Sequence, residues 1–498
     1  MRVLENLEPK DVFYYFEEIC NIPHGSGNTE KISSYLEQFA KERNLECYRD
    51  EAGNIIMIKE ASEGYEDHLP VMLQGHMDMV AVKKPDCDID MKEDGLRLAI
   101  GEDKIYAKGT SLGGDDGIAV AYGLALLDGN YKHPRIELVI TVDEEVGMDG
   151  ARVLDVTPLK AKQMINIDSE EEGVFWVGCA GGARVDLSLQ GSICEVQGLL
   201  CEVNVTGLMG GHSGAEIHKE RGNGICLLGR TLHRLAGKTE FCIRELNAGV
   251  ADNAIPVSAR AELLLTGYES AAGSMKVMQD GFSVQEITAL LKHQAELLTR
   301  ELKEELADKD PGVKVEISIL QIERTQVLSE EDSKRTAAFL GVLPYGVQAM
   351  SFAVPGLVET SLNPGLLSME GAEVKVGVSV RSSFDSAKKA LIGKLANLSY
   401  LAGVKMEVSG DYPGWAYRKD SLLREKMAEV YRELNGRQPS IEAVHAGLEC
   451  GLLAHKIPGL DCISIGPDMK NIHTTEEELS ISSTVRVWNY LLKLLENL

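Results

Sequence analysis

Residues 1–180 alternate short apolar runs with stretches of helical period. Ile32, Tyr35, Leu36 and Phe39 recur at helix spacing behind a capping residue at Asn28 or Thr29, which predicts an amphipathic helix. Apolar runs at 54–58, 71–80, 136–142 and 163–167 have the length of buried strands. Between them, 118–127 reads as a helix stopped by Gly129. Strands alternating with helices predict an α/β fold: a mixed, mostly parallel sheet flanked by helices.

The pattern changes just past the glycine-rich stretch Gly178-Cys179-Ala180-Gly181-Gly182. Strand signals at 199–205 and 254–265 precede a long charged amphipathic helix at 284–306, and further strand and helix signals run over 313–401. Two successive strand–helix–strand blocks suggest two lobes here. From about Val404 the α/β pattern returns and ends in a helix at 483–495. The expected organisation is a first α/β part at 1–185, a segment of different pattern at 186–402 and a returning α/β part at 403–498.

Composition narrows the partners. The chain has 498 residues, 51 basic and 77 acidic, for a net charge of −26. So acidic a surface, without a basic stripe, repels a phosphate backbone, and nucleic-acid binding is not expected. No apolar run reaches the roughly 18 residues of a membrane span. Glu5 and Glu8 follow Arg2 where a signal peptide would have its apolar core, so a cytoplasmic location is expected. Ten cysteines without a C-x-x-C pair fit reduced, mostly buried thiols.

Acids and histidines collect where the strand patterns end. His76-Met77-Asp78 closes one run; residues i and i+2 of a strand share a face, so His76 can meet a metal while Asp78 orients its imidazole. Alone, H-x-D reads equally as a polar strand end. Leu112-Gly113-Gly114-Asp115-Asp116-Gly117 puts an aspartate at a helix start, as a ligand or a cap. Asp143-Glu144-Glu145 follows another strand; such acids repel one another unless a cation or solvent intervenes. Asp168 ends the next strand, and His473 lies in a loop near the C-terminus. An open α/β sheet places its ligand crevice at such strand ends. Imidazole and carboxylate without thiolate suit zinc, with manganese or cobalt as alternatives. Two divalent cations against Asp115, Glu145, Asp168 and one hydroxide make a neutral set. Two other patterns fail. Asp86-Cys87-Asp88-Ile89-Asp90 lacks the glycine and glutamate of a calcium loop, and the glycines at 207–214 lack a phosphate loop's Gly-Lys ending.

The ordered set resembles the co-catalytic zinc exopeptidases related to carboxypeptidase G, carnosinase and aminoacylase. The likeness spans nearly the whole chain. It includes Gly207-Leu208-Met209-Gly210-Gly211-His212-Ser213-Gly214, Glu216-Ile217-His218, Glu359-Thr360-Ser361-Leu362-Asn363 and His445-Ala446-Gly447-Leu448-Glu449-Cys450-Gly451. The resemblance implies a zinc exopeptidase-like catalytic domain with an inserted α+β lid, and two metal ions bridged by Asp115. His76 and Asp168 would complete one site, Glu145 and His473 the other. Gly113-Gly114-Asp115-Asp116 departs from the Gly-Ala-Asp-Asn of similar dipeptidases, and alignment on Gly117 makes Asp115 the bridge.

The implied reaction is hydrolysis of dipeptides, Xaa-His dipeptides included, by a metal-activated water. Glu144, beside ligand Glu145, becomes the general base, and Asp78 supports His76. His212 resembles the family's lid histidine that donates to the developing oxyanion, from its own chain or across a homodimer. Asn253 and Asn363 are expected at the substrate. Arg381 would pair with its carboxylate or form a structural ion pair, and Glu449 would meet its ammonium. An N-acyl amino-acid deacylase or a tripeptidase would use the same metal core. A non-catalytic metal- or peptide-binding relative would have no need of Glu144.

Overall fold

The computed structural model describes residues 2–270, 272–278 and 281–498. The chain forms two units. The first comprises Met1–Cys179, Trp415–Ala443 and Leu448–Leu498; the second comprises Ala180–Gly414 and Val444–Gly447.

Among the described residues, the first unit is built on an eight-stranded mixed sheet. Its centre is parallel: Val71–His76 lies between Ile136–Thr141 and Gln163–Asn166, and the latter pairs in parallel with Asp461–Ser464. Antiparallel strands, such as Ile55–Lys59 against Ile136–Thr141, flank that centre. The central strands are buried along their length, as expected of a sheet covered on both faces. The helix Gly114–Asp128 is buried on all sides, and its apolar residues join the core of this unit. Other expected elements appear with small shifts. Thr29 precedes helix Glu30–Glu42 without a side-chain cap, and the last helix spans Ile481–Leu495 behind a capping Ser480. The run at 71–80 is a strand only to His76, where the chain turns into the site.

The second unit forms one sheet of ten strands among the described residues, with a single main apolar core. Two strand blocks share this sheet: Ile193–Thr206, Ala259–Glu269 and Thr239–Ala248 form one, Val358–Glu370 and Glu373–Ser382 belong to the other, and antiparallel pairing of Asn247 with Ser368 and Ala248 with Leu367 joins them. The run at 254–265 is broken at Pro256, leaving Ala254–Ile255 and Ala259–Glu269 as separate strands.

The second unit is longer than the segment 186–402. The strand Gly181–Gln190 pairs with both Glu373–Ser382 and Lys405–Tyr412, so both ends of the insertion are bound into its sheet. Val444–Gly447 returns to this unit through hydrogen bonds from the Ala180 N–H to the carbonyls of Val444 and Ala446, at 3.2 and 2.9 Å. In the first unit, Cys179 and Trp415 exchange backbone hydrogen bonds of 2.8 and 3.0 Å, so the chain leaves and re-enters at adjacent points. All ten cysteines are free.

Candidate metal centre

Parallel register brings the acidic strand ends together. His76 lies level with Thr141, and Gln74 with Asn166. His76, Asp143-Glu144-Glu145 and Asp168 therefore emerge at one edge of the sheet. The start of helix Gly114–Asp128 adds Asp115. That start is non-helical at Asp115 and Asp116, behind Gly113 at φ +66°.

Asp115 offers one oxygen to each histidine. Its Oδ1 is 3.2 Å from His76 Nε2, and its Oδ2 is 3.1 Å from His473 Nε2. His76 Nε2 also lies 3.6 Å from Asp168 Oδ1, and His473 Nε2 lies 3.0 Å from Glu145 Oε1. In each of the sets His76, Asp115, Asp168 and Asp115, Glu145, His473, one potential ligand atom per residue falls within 4.8 Å of the others. Glu144 converges with His76 and Glu145 in the same way. Asp116 does not share this position: it is fully buried, and its Oδ2 accepts from the His76 N–H at 3.1 Å.

Asp78 supports His76 differently from expectation. The imidazole Nδ1 bonds to the backbone carbonyl of Asp78 at 2.9 Å, while the nearer carboxylate oxygen stands 3.5 Å away. That carboxylate instead accepts from the N–H groups of Glu144 and Glu145, at 3.0 and 3.4 Å, and from Ser26 Oγ at 2.8 Å. One residue thus fixes the His76 tautomer through its main chain and the acidic turn through its side chain, leaving Nε2 to act as a ligand.

The electrostatics call for a cation. Burial, opposed by His76 and reinforced by Asp168, Glu449 and Glu145, holds the Glu144 carboxyl well above its ordinary range. Burial likewise lifts Asp168 to about 6, against His76 and with the help of Asp115 and Glu145. Burial would also raise Asp115, but bonds from His473 and His76 keep it far below its usual value. Glu145 Oε1 is buried and makes no hydrogen bond, although His473 Nε2 is close. A buried carboxylate oxygen facing an imidazole nitrogen that it shares with Asp115, among histidine and carboxylate ligand atoms, fits a divalent metal.

Glu449 lies elsewhere than expected. It is 0% exposed, and its Oε2 accepts from Gln74 Nε2 at 2.5 Å and Thr141 Oγ1 at 2.7 Å. Burial pushes it up to about 7. The carboxyl is anchored on two strands with no exposed surface, and its Oε1 has no hydrogen-bond partner among the described residues.

The remaining expected residues belong to the second unit. His212 pairs level with Ala254 across a short two-stranded sheet. Its Nδ1 accepts from the N–H groups of Gly214 and Ala215 at 3.2 and 3.0 Å, which puts the ring proton on Nε2. Burial and the charge of Arg381 lower its pKa, so the ring is a neutral donor. Arg381 reaches Tyr412 Oη with one terminal nitrogen at 3.3 Å, and its buried Nε has no acceptor among the described residues. Asn253 is exposed, and its carbonyl receives the Ser213 N–H at 2.8 Å. Asn363, by contrast, is 1% exposed; its amide donates to the carbonyls of Asp252 and Ala254 and accepts from Asn223. It braces the 251–254 turn and has no free donor for a substrate.

Three residues escaped the sequence reading. Glu477 lies four positions past His473 and receives the N–H groups of the Asp115 loop. The acidic run Glu476-Glu477-Glu478 after the histidine does not by itself single it out. Burial, then Asp115 and Asp168, push Glu170 up to about 7. His445, inside a quoted motif, is buried with Nε2 2.7 Å from Ser361 Oγ.

Residues 72–497 match the model of peptidase family M20/M25/M40. The chain is 36% identical over 502 residues to the cytosol non-specific dipeptidase of Escherichia coli (strain K12), covering all of this chain and 99% of that protein. The crystal structure of aminoacylhistidine dipeptidase from Vibrio alginolyticus superposes with a TM-score of 0.90 at 34% identity, over 99% of this chain and 97% of that one. Aminopeptidase PepT from Bacillus cereus shares the fold, with a TM-score of 0.55 at 16% identity over 99% of both chains. With the family's match spanning the acid-bearing strand ends through His473, this chain belongs to peptidase family M20/M25/M40.

Proposed function

We propose that this protein is a dinuclear metal-dependent dipeptidase whose substrates include Xaa-His dipeptides. The observation that carries the reading is Asp115, which turns one carboxylate oxygen to each of two histidine–carboxylate sets. His76, Asp115 and Asp168 would hold one ion and Asp115, Glu145 and His473 the other, with zinc as the metal. When bound, the ions polarise the scissile carbonyl and make water acidic enough to attack near neutral pH. Glu144, with its carboxyl raised by burial, takes the proton of the attacking water and returns it to the leaving amine. His212 Nε2–H supplies a hydrogen bond where negative charge develops on the carbonyl oxygen. The Arg381 Nε, lacking an acceptor, suits the C-terminal carboxylate of a dipeptide, and Asn253 offers an exposed amide beside it in sequence to the His212 strand partner.

The two relatives named as dipeptidases support this substrate class, and the name of the Escherichia coli one, a cytosol dipeptidase, supports a cytoplasmic site of action. No helix among the described residues is long and apolar enough to cross a membrane. The test is zinc-loaded enzyme against dipeptides, tripeptides and N-acetyl amino acids, with metal content measured. Dipeptide turnover dependent on two zinc ions supports the reading; preference for acetylated amino acids or tripeptides replaces it. His212 acts within its chain or across a homodimer. Mixing His212→Ala with Glu144→Gln decides between them, because only exchange across a dimer restores activity.

A further inference from the structure

We infer that Glu477 is a positioning residue that locks the Asp115 loop to the segment bearing His473, and so builds the second metal site. Four consecutive backbone N–H groups converge on its carboxylate: Leu112 and Gly113 on Oε2 at 2.8 and 3.1 Å, Gly114 and Asp115 on Oε1 at 2.8 and 3.4 Å. Glu477 is only 3% exposed. An ionised carboxylate, which only accepts, suits a row of donors; an amide in its place would turn N–H groups toward N–H groups.

The arrangement explains the two glycines before Asp115. Gly113 sits at φ +66°, and a Cβ there would come within 2.7 Å of Met79 Sδ; a Cβ on Gly114 would press to 3.3 Å from Met469 Sδ and 3.4 Å from Glu477 Oε1. A side chain would be strained at the Gly113 φ and would crowd the methionine and the carboxylate at Gly114.

The other end of the clamp is the His473 segment. Glu477 follows His473 by four residues, its N–H bonds to the Thr474 carbonyl at 3.3 Å, and the next residues, Glu478–Ser480, pair with Lys104–Ala107. His473 itself has a side chain 45% exposed and a φ of +61°, so core packing does not hold it. Its place opposite Asp115 depends on the turn that Glu477 ties down. His76 and Asp168, in contrast, extend from paired central strands and have support of their own. Loss of Glu477 should therefore loosen Asp115 for both sites and His473 for one alone, so the His473 site weakens more than the other.

The inference rests on the dinuclear reading, and zinc titration without substrate keeps the two separable. Chelated wild-type, Glu477→Gln and Glu477→Ala proteins are titrated with zinc by calorimetry, and their metal-free melting is recorded. The expected result for Glu477→Gln is a first zinc weakened only modestly, the second weakened at least tenfold more than the first, metal-free melting lowered but still cooperative, and turnover restored by excess zinc. Two zinc ions bound by Glu477→Gln as tightly as by wild type would overturn the inference while leaving the dinuclear reading intact. A metal-free Glu477→Gln that no longer melts cooperatively would also overturn it, since the residue would then serve only the fold. Glu477→Ala, lacking any acceptor, should show the same selective loss in larger measure; equal weakening of both sites would count against the clamp. A wild-type protein that takes fewer than two zinc ions refutes the dinuclear reading itself.

Discussion

Glu144 and Glu145 are adjacent in sequence, yet their surroundings differ. Glu145 is the acid within reach of His473, whereas Glu144, raised by burial, stands beside both His76 and Glu145. Glu144→Gln should keep two metals and lower turnover by about 10²-fold or more, the scale of a lost general base. Elemental analysis with steady-state rates checks this, and near-normal turnover would remove Glu144 from the role. Asp115→Ala should release both ions, because each histidine set uses one of its oxygens; His473→Ala should mainly weaken one. A different residue answers to pH. Burial, aided by the charge of Arg381, lowers His445 to about 3, while in the unfolded chain it titrates near 6.5. The unfolded state therefore binds the extra proton between these values, and stability present above about pH 6.5 is lost as pH falls toward 3. His445→Asn should flatten the acid side of a denaturant-stability profile of the metal-free protein; an unchanged slope would show that His445 does not titrate this way.

At the scale of elements, the site depends on a helix start lying flush on a strand end. Gly75, one residue before His76, makes that possible: a Cβ there would stand 2.4 Å from Asp116 Oδ2 and 2.6 Å from Ala119 Cβ. Neither neighbour can easily give way, since Asp116 is bonded to the His76 N–H and Ala119 sits on a buried helix. Gly75→Ala should therefore cost about 1–3 kcal/mol through overpacking and weaken metal binding at His76. Denaturant melts of the chelated protein measure the first effect and zinc titration the second; wild-type values for both would show that the helix can retreat without consequence. The short strand carrying His212 works by another device. Two N–H groups of the following turn fill Nδ1, so the helpful tautomer is set locally. His212→Ala should keep both metals and lose about 10²–10³ in turnover.

Over the whole molecule, the candidate metal ligands and the expected oxyanion donor belong to different units. Because Cys179 and Trp415 are hydrogen-bonded neighbours, a short glycine linker between them should let the first unit close without the insertion. That shortened protein should bind zinc, yet hydrolyse dipeptides at least about 10²-fold more slowly, for want of His212 and Arg381. Circular dichroism, zinc titration and a dipeptide assay check it. Full activity in the shortened protein would take both residues out of the reaction.

Strand and helix signals, the acids that end the strands and the ordered motifs were legible in the chain, because burial period and ligand chemistry are properties of residue order. Hence the alternating α/β pattern, the candidate ligands and a candidate general base could be named before any coordinates. Partnership was not legible. Asp78 and Glu449 look alike as acids near a site, but only the fold shows one holding the acidic turn and the other buried on Gln74 and Thr141. Asn363 was read as a substrate contact and proves to be a brace, since its acceptors lie more than a hundred residues away in sequence. Glu477 went unnoticed for the same reason: its donors are backbone N–H groups, which every residue but proline carries, and no sequence pattern marks which of them a distant carboxylate will meet. Residue type and spacing determine which groups are available for chemistry; pairing across long loops decides which are free to perform it.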